Sequence, residues 1–153
     1  MLYEMIATPV RLLTAEIGGG FVRRLGVFPA GVSDPDAGDR ILAEGLRDEI
    51  HAYFHGERRD FSLPVSLSGT DFQRAVWREI QKIPFGETCS YGEIAKRLGN
   101  PGASRAIGSA CRMNPVLILI PCHRVTAARG GGGYVLGAAA KEYLLSLEAR
   151  QGG

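Results

Sequence analysis

Cys122 is delivered by an apolar run, Val116-Leu117-Ile118-Leu119-Ile120, through Pro121, and is followed at once by His123 and Arg124. The attacking form of a cysteine is the thiolate, and a neighbouring base or cation raises its population near neutral pH. A backbone restricted by proline and a histidine beside the sulfur are therefore the parts of a held nucleophile with a proton acceptor at hand. Spacing alone leaves open whether His123 reaches the sulfur directly or through a water. Cys89, at the lip of a turn, and Cys111 read as packing residues. Three cysteines with no CxxC pair suit neither a disulfide framework nor a zinc finger, and point to a reducing compartment. His51 and His55 stand at i and i+4 but have no third ligand in view, so no metal is expected. Gly130 to Gly133 lack the following Lys-Ser/Thr of a phosphate-cradling loop.

A second stretch carries a different chemistry. Ala103, Ser104, Ala106, Gly108, Ser109 and Ala110 are all small, with Arg105 the one long polar side chain before Arg112 and Ile107 the one large apolar one. Such a helix lets its backbone come close to another surface. It follows a segment that Ser90 can cap and the turn Gly99-Asn100-Pro101-Gly102, and two short helices around a tight turn describe a helix-turn-helix. Charge points the same way. Residues 1–68 hold seven Lys and Arg against ten Asp and Glu, a net −3; residues 69–153 hold eleven against six, a net +5. A basic half suits an anionic partner such as nucleic acid.

These residues need a frame to hold them. At 153 residues the chain has enough material for one core or two small lobes. Residues 2–8, 11–17 and 21–27 are apolar-rich and punctuated by Pro9 and Gly18-Gly19-Gly20, which predicts an antiparallel meander. Asp34, Asp36 and Asp39 mark a loop. Helical spacing runs from Ile41 to Phe54 and stops at Gly56, and 59–68 reads as a linker around Pro64. Beyond it, Thr70 or Asp71 can cap a helix with Phe72, Val76, Trp77 and Ile80 on its apolar face. Residues 116–120 read as a brief buried strand or extended segment, and a last helix runs from about Ala139 to Glu148. The expected division is 1–66 and 67–153. No apolar run approaches the ~20 residues of a membrane span, and the start lacks a signal-peptide layout. A soluble, intracellular protein without membrane contact is expected.

Pro121-Cys122-His123-Arg124-Val125 resembles the active-site signature of the O6-alkylguanine-DNA alkyltransferases, the methylated-DNA–protein-cysteine methyltransferases. Gly69-Thr70-Asp71-Phe72-Gln73, Ile83-Pro84-Phe85-Gly86-Glu87-Thr88, Ser90-Tyr91-Gly92-Glu93-Ile94-Ala95, Arg105-Ala106-Ile107-Gly108, Asn114-Pro115 and Lys141…Glu148 match in the same order. The resemblance is near-continuous from Gly69 to Glu148, and in the N-terminal half it is one of layout. It implies an α/β, ribonuclease H-like N-terminal lobe and a mostly α, winged-helix-like C-terminal lobe with a helix-turn-helix. It further implies that Cys122 takes the alkyl group from O6-alkylguanine in double-stranded DNA irreversibly, and that O4-methylthymine is also accepted. On this resemblance His123 is the base, acting through a water, Glu148 orients it, and Asn114 ties the loop before the cysteine to the helix-turn-helix. Tyr91, Val125, Tyr134, Val135 and Lys141 would meet the flipped base, and Arg105 would fill its place in the duplex. Ala103, Ser104, Arg105, Ala106, Gly108, Arg112 and Arg124 would face DNA through the minor groove. No cofactor is implied; a monomer is expected, cytoplasmic or, in a eukaryote, nuclear. Val135-Leu136 stand where the family has a small residue and then a glycine pair, and branched Val135 stiffens and fills that loop.

Three other readings remain at this level. A relative that senses the lesion without repairing it would have the cysteine replaced. A helix-turn-helix regulator leaves Pro121–Arg124 unexplained. A Cys-His hydrolase would turn over repeatedly and needs an oxyanion hole that the sequence does not reveal.

Overall fold

The computed structural model describes residues 1–128 and 132–152. Two of the four glycines in the loop 130–133, Gly130 and Gly131, lie outside the described residues. The chain forms two compact units: Met1–Ser68 with Pro115–Leu117, and Gly69–Asn114 with the described residues from Ile118 onward.

In the first unit, β1 (Leu2–Ala7), β2 (Leu12–Gly18) and β3 (Phe21–Gly26) form an antiparallel sheet in the order β1-β2-β3. Gly19 and Gly20 join β2 to β3 with φ of +60° and +85°. Two consecutive left-handed residues make the hairpin turn whose twist matches its strands, and glycine adopts it without a steric penalty. Leu2, Ile6, Leu13, Ile17, Val22 and Leu25 are buried, and α1 (Ala37–Phe54) packs across all three strands. It presents Ala43, Leu46, Ile50 and Tyr53. The helix starts four residues before the apolar periodicity does. Asp36, expected in a loop, is its N-cap, accepting from the Asp39 backbone N–H at 2.8 Å, and Asp39 lies in the first turn. The expected linker also joins the sheet: Val22 N–H donates to Pro64 O and Ser66 N–H to Val22 O, at 2.9 and 3.0 Å.

The second unit is mostly helical. Its helices are α2 (Asp71–Gln81), α3 (Tyr91–Arg97), α4 (Ser104–Arg112) and α5 (Ala138–Gly152). Thr70 caps α2 and Ser90 caps α3, each in a capping box completed by Gln73 and Glu93 respectively. A parallel pair of two-residue strands, β4 (Cys89–Ser90) and β5 (Val125–Thr126), lies within the same unit. Trp77 of α2 is buried and donates from its indole N–H to Ala110 O, 2.9 Å away, which fastens α4 to α2. Its neighbour Gly69 has no room for a side chain: an added Cβ would sit 2.6 Å from the indole.

The run 116–120 is not a strand. Val116 makes an isolated bridge to Leu25, and the chain then turns at Ile118, whose φ is +73°. A β-branched residue in the left-handed region costs roughly 1–2 kcal/mol, and burial of the whole run offsets it. An apolar run reports burial; it does not report whether the backbone is extended.

Candidate active site

The turn at Ile118 sends the chain into Pro121, whose φ of −81° and ψ of 63° with a 2.8 Å bond from Cys122 N–H to Ile120 O make an inverse γ-turn. Proline presets that φ. Cys122–Arg124 then form a single 3-10 turn with all three residues buried. Asn114, just after α4, donates from Nδ2 to Ile120 O at 2.8 Å and to Cys122 Sγ at 3.1 Å. One side chain thus holds both the γ-turn and the sulfur.

His123 is fully buried, with Nε2 2.6 Å from Glu148 Oε2 on α5. Glu148 is saturated. It also accepts from Arg124 Nε at 2.8 Å, from an Arg124 terminal nitrogen at 3.0 Å, and from Gly86 N–H at 3.2 Å. Burial pushes this carboxyl up, but the bonds from His123 and Arg124 outweigh it and hold its pKa at about 2. Burial lowers the pKa of His123 despite that carboxylate, so the ring is neutral at neutral pH. An ionised carboxylate only accepts, hence the proton sits on Nε2 and Nδ1 keeps its lone pair. Nδ1 is buried with no hydrogen-bond partner among the described residues. That tautomer leaves Nδ1 able to accept a proton. Burial raises the Cys122 thiol well above its ordinary value, so the sulfur rests protonated and needs that base.

Cys122 opens onto a cleft of about 830 Å³ lined by Tyr91, Arg105, Gly108, Cys111, Tyr134 and Val135 among others. The volume is in the range that takes a small molecule or an extruded base. Ile107 and Ala110 bury one side of α4, while Ser104, Arg105, Ala106, Ser109 and Arg112 are exposed. Tyr91 at the start of α3 lines the cleft, and burial raises its phenol, keeping it protonated. Tyr134 rises for the same reason, and its buried hydroxyl has no partner among the described residues.

The structure brings together Cys122, Asn114, His123 and Glu148, and around the cleft Tyr91, Arg105, Tyr134 and Val135. Four expectations need correction. Arg124, expected to face DNA, is only 6% exposed; its guanidinium is engaged by Glu148 and donates to Ile83 O at 2.8 Å. Lys141, expected at the base, is buried, donates to Val125 O at 2.6 Å and Gly133 O at 3.3 Å, and does not line the cleft. Val125 is fully buried in β5, with its carbonyl taken by that ammonium. Cys111, expected only to pack, shares the cleft with Cys122. Among the described residues no three His, Cys, Asp or Glu side chains gather as metal ligands, and no helix is long and apolar enough to cross a membrane.

A buried thiol beside a carboxylate-held histidine, opening onto a cleft lined by a small-residue helix, has the parts that a cysteine nucleophile requires. Residues 71–150 match the family described as 6-O-methylguanine DNA methyltransferase, DNA binding domain. The chain belongs to that family. It is 50% identical over 101 residues to a methylated-DNA–protein-cysteine methyltransferase of Methanosarcina acetivorans, covering 65% of each chain. It is 49% identical to one of Mycobacterium tuberculosis, covering 74% of this chain and 68% of that one. The match thus spans just under two thirds of the first relative's length. A solved O6-methylguanine methyltransferase of Mycobacterium tuberculosis superposes with a TM-score of 0.86 at 40% identity, covering 97% of this chain and 93% of that one.

Proposed function

We propose that this protein repairs DNA by transferring the alkyl group of O6-alkylguanine irreversibly to Cys122. The observation that carries the proposal is the joint placement of an Asn114-held thiol and a neutral His123 whose free ring nitrogen is backed by ionised Glu148. The Cys122 proton passes to His123 Nδ1 through a water, and Glu148 stabilises the imidazolium that forms. The sulfur attacks the alkyl carbon, the S–C bond forms as the O6–C bond breaks, and the electron pair leaves on guanine. Tyr91, protonated and at the cleft, returns a proton so that guanine departs neutral. A thioether does not leave under these conditions, so each molecule acts once. Apart from that water, all groups required belong to the chain or the lesion.

The DNA partner is proposed on the same footing; a related Mycobacterium tuberculosis protein, 41% identical, has been solved in complex with DNA. The turn from α3 into α4 fits a helix-turn-helix in a winged-helix-like unit, and the sheet with α1 a ribonuclease H-like lobe. Extrusion of the base is required because O6 lies within the stack. The small exposed face of α4 suits close approach to the minor groove, and Arg105 is positioned to fill the gap. A monomer acting wherever the cell keeps its DNA completes the proposal.

The test follows methyl transfer from a labelled O6-methylguanine duplex against time. One methyl per protein and then a halt is expected, with none for Cys122→Ser. Continued turnover would refute the acceptor role. Arg105→Ala should slow repair in duplex far more than attack on the free modified base; equal losses would contradict its place in extrusion.

A further inference from the structure

Cys111 has no part in the chemistry above, yet it ends α4 in the wall of the Cys122 cleft. Its side chain and that of Cys122 line the same cleft, and each thiol perturbs the ionisation of the other. The placement is built. Trp77 anchors α4 through Ala110 O, the residue before Cys111, at 2.9 Å. Asn114 donates its backbone N–H to Cys111 O at 3.2 Å while its side chain holds Cys122 Sγ at 3.1 Å. One asparagine therefore registers both cysteines. Cys111 is half-buried where Cys122 is only 3% exposed at the cleft, so a small solute entering the cleft meets Cys111 first. The third cysteine, Cys89, is buried in β4 and hydrogen-bonds Glu93 at 3.6 Å instead.

We propose that Cys111 and Cys122 are a redox pair: hydroperoxides oxidise Cys111, and Cys122 closes on it to form a reversible disulfide that shields the acceptor sulfur. The Cys111 thiolate attacks the peroxide O–O bond, becoming a sulfenic acid as hydroxide leaves. The Cys122 thiolate then attacks the Cys111 sulfur; the S–S bond forms, the S–O bond breaks, and the hydroxyl departs as water with the proton. Two thiols and one hydrogen peroxide give one disulfide and two waters. The contact with Cys122 and the positive charges of Lys141 and Arg112 lower the Cys111 thiol, which favours it as the first target. A sulfur used once has no replacement within the molecule, and over-oxidation to sulfinic acid would remove it for good. A disulfide stops at a step that thiols reverse.

That this silences repair rests on the proposed alkyl transfer; the cross-link itself does not, and the two are read separately. Reduced full-length protein is treated with a severalfold molar excess of hydrogen peroxide, because carrying a lone thiol beyond sulfenic acid consumes more than one equivalent, then blocked with an alkylating agent and digested with trypsin without reductant. Cys111 and Cys122 fall in different tryptic peptides, Ala106–Arg112 and Met113–Arg124. The expected product is these two joined, lighter by the two thiol hydrogens, with methyl transfer lost and then restored by dithiothreitol. Cys111→Ala should form no such species, accumulate sulfinic or sulfonic acid on Cys122, and fail to recover relative to its own untreated activity. Cys89→Ala should behave as the unaltered protein does. Cys122 over-oxidised in the unaltered protein without cross-linking would overturn the proposal, as would full thiol recovery of Cys111→Ala. Cross-linked peptide from a protein that never accepts methyl would instead overturn the alkyl-transfer reading and leave the redox pair standing.

Discussion

Arg124→Met removes the charged fork while keeping an apolar stem of similar reach. The guanidinium makes two bonds to Glu148, at 2.8 and 3.0 Å, and one of 2.8 Å to Ile83 O. A hydrogen bond to a charged group contributes about 1.5–3 kcal/mol, and breaking a buried pair from one side typically costs about 3–5 kcal/mol. The variant should therefore lose about 4 kcal/mol of unfolding free energy at neutral pH, measured by urea titration with an unchanged slope. Acid gives a second readout. A carboxyl held at about 2 instead of 4.5 contributes stability that is complete above 4.5 and is lost as pH falls through about 2. Removing one of its donors shrinks that contribution. The gap between the two proteins should be widest above pH 4.5 and narrow towards pH 2. A loss below about 1 kcal/mol, as for an exposed pair, would refute the buried-anchor role. Intact stability with a DNA-binding salt slope reduced by about one would return Arg124 to the DNA surface.

Transfer by the unaltered protein should hold its plateau as pH falls past 6.5, because burial keeps His123 neutral below its ordinary value; single-turnover rates with a midpoint at or above 6.5 would contradict this. Asn114→Ala removes the side-chain donor from the Cys122 sulfur and from Ile120 O, which keeps only the γ-turn bond from Cys122 N–H; denaturant titration should show a loss of about 1–3 kcal/mol together with slower transfer. Unchanged values for both would show that Asn114 does not hold the turn. Val135→Ala widens the cleft wall and should raise the benzyl-to-methyl rate ratio by about tenfold; an unchanged ratio would place the size limit elsewhere.

Elements with local signals were legible: the three strands punctuated by Pro9 and glycines, and the helices capped by Thr70 and Ser90, whose hydroxyls and partners at N3 act within one turn. What depends on distant partners was not. The β4–β5 pair joins residues far apart in sequence, and nothing in Cys89-Ser90 announces it. The apolar run 116–120 recorded burial but hid the turn at Ile118. Asp36 and Asp39 precede the apolar periodicity that marked α1, so the capping signal was read as loop polarity. Cys122 and His123 were legible from their place after Pro121, whereas Asn114 and Glu148 were identified only through the resemblance. Arg124 and Lys141 were assigned to DNA and to the base through the resemblance, which does not show what their charges meet inside the fold. Their acceptors, Glu148 for one and the Val125 and Gly133 carbonyls for the other, come together only on folding. Cys111 was missed for the same reason: the end of α4 comes back onto Cys122 only in three dimensions.

The most direct measurement is peptide mass spectrometry after incubation with an O6-methylguanine duplex. The peptide Met113–Arg124 should gain one methyl group at Cys122, in amount equal to the lesion lost, while the peptides bearing Cys89 and Cys111 stay unmodified. Loss of the lesion with that peptide unchanged, or the methyl found on another residue, would contradict the account.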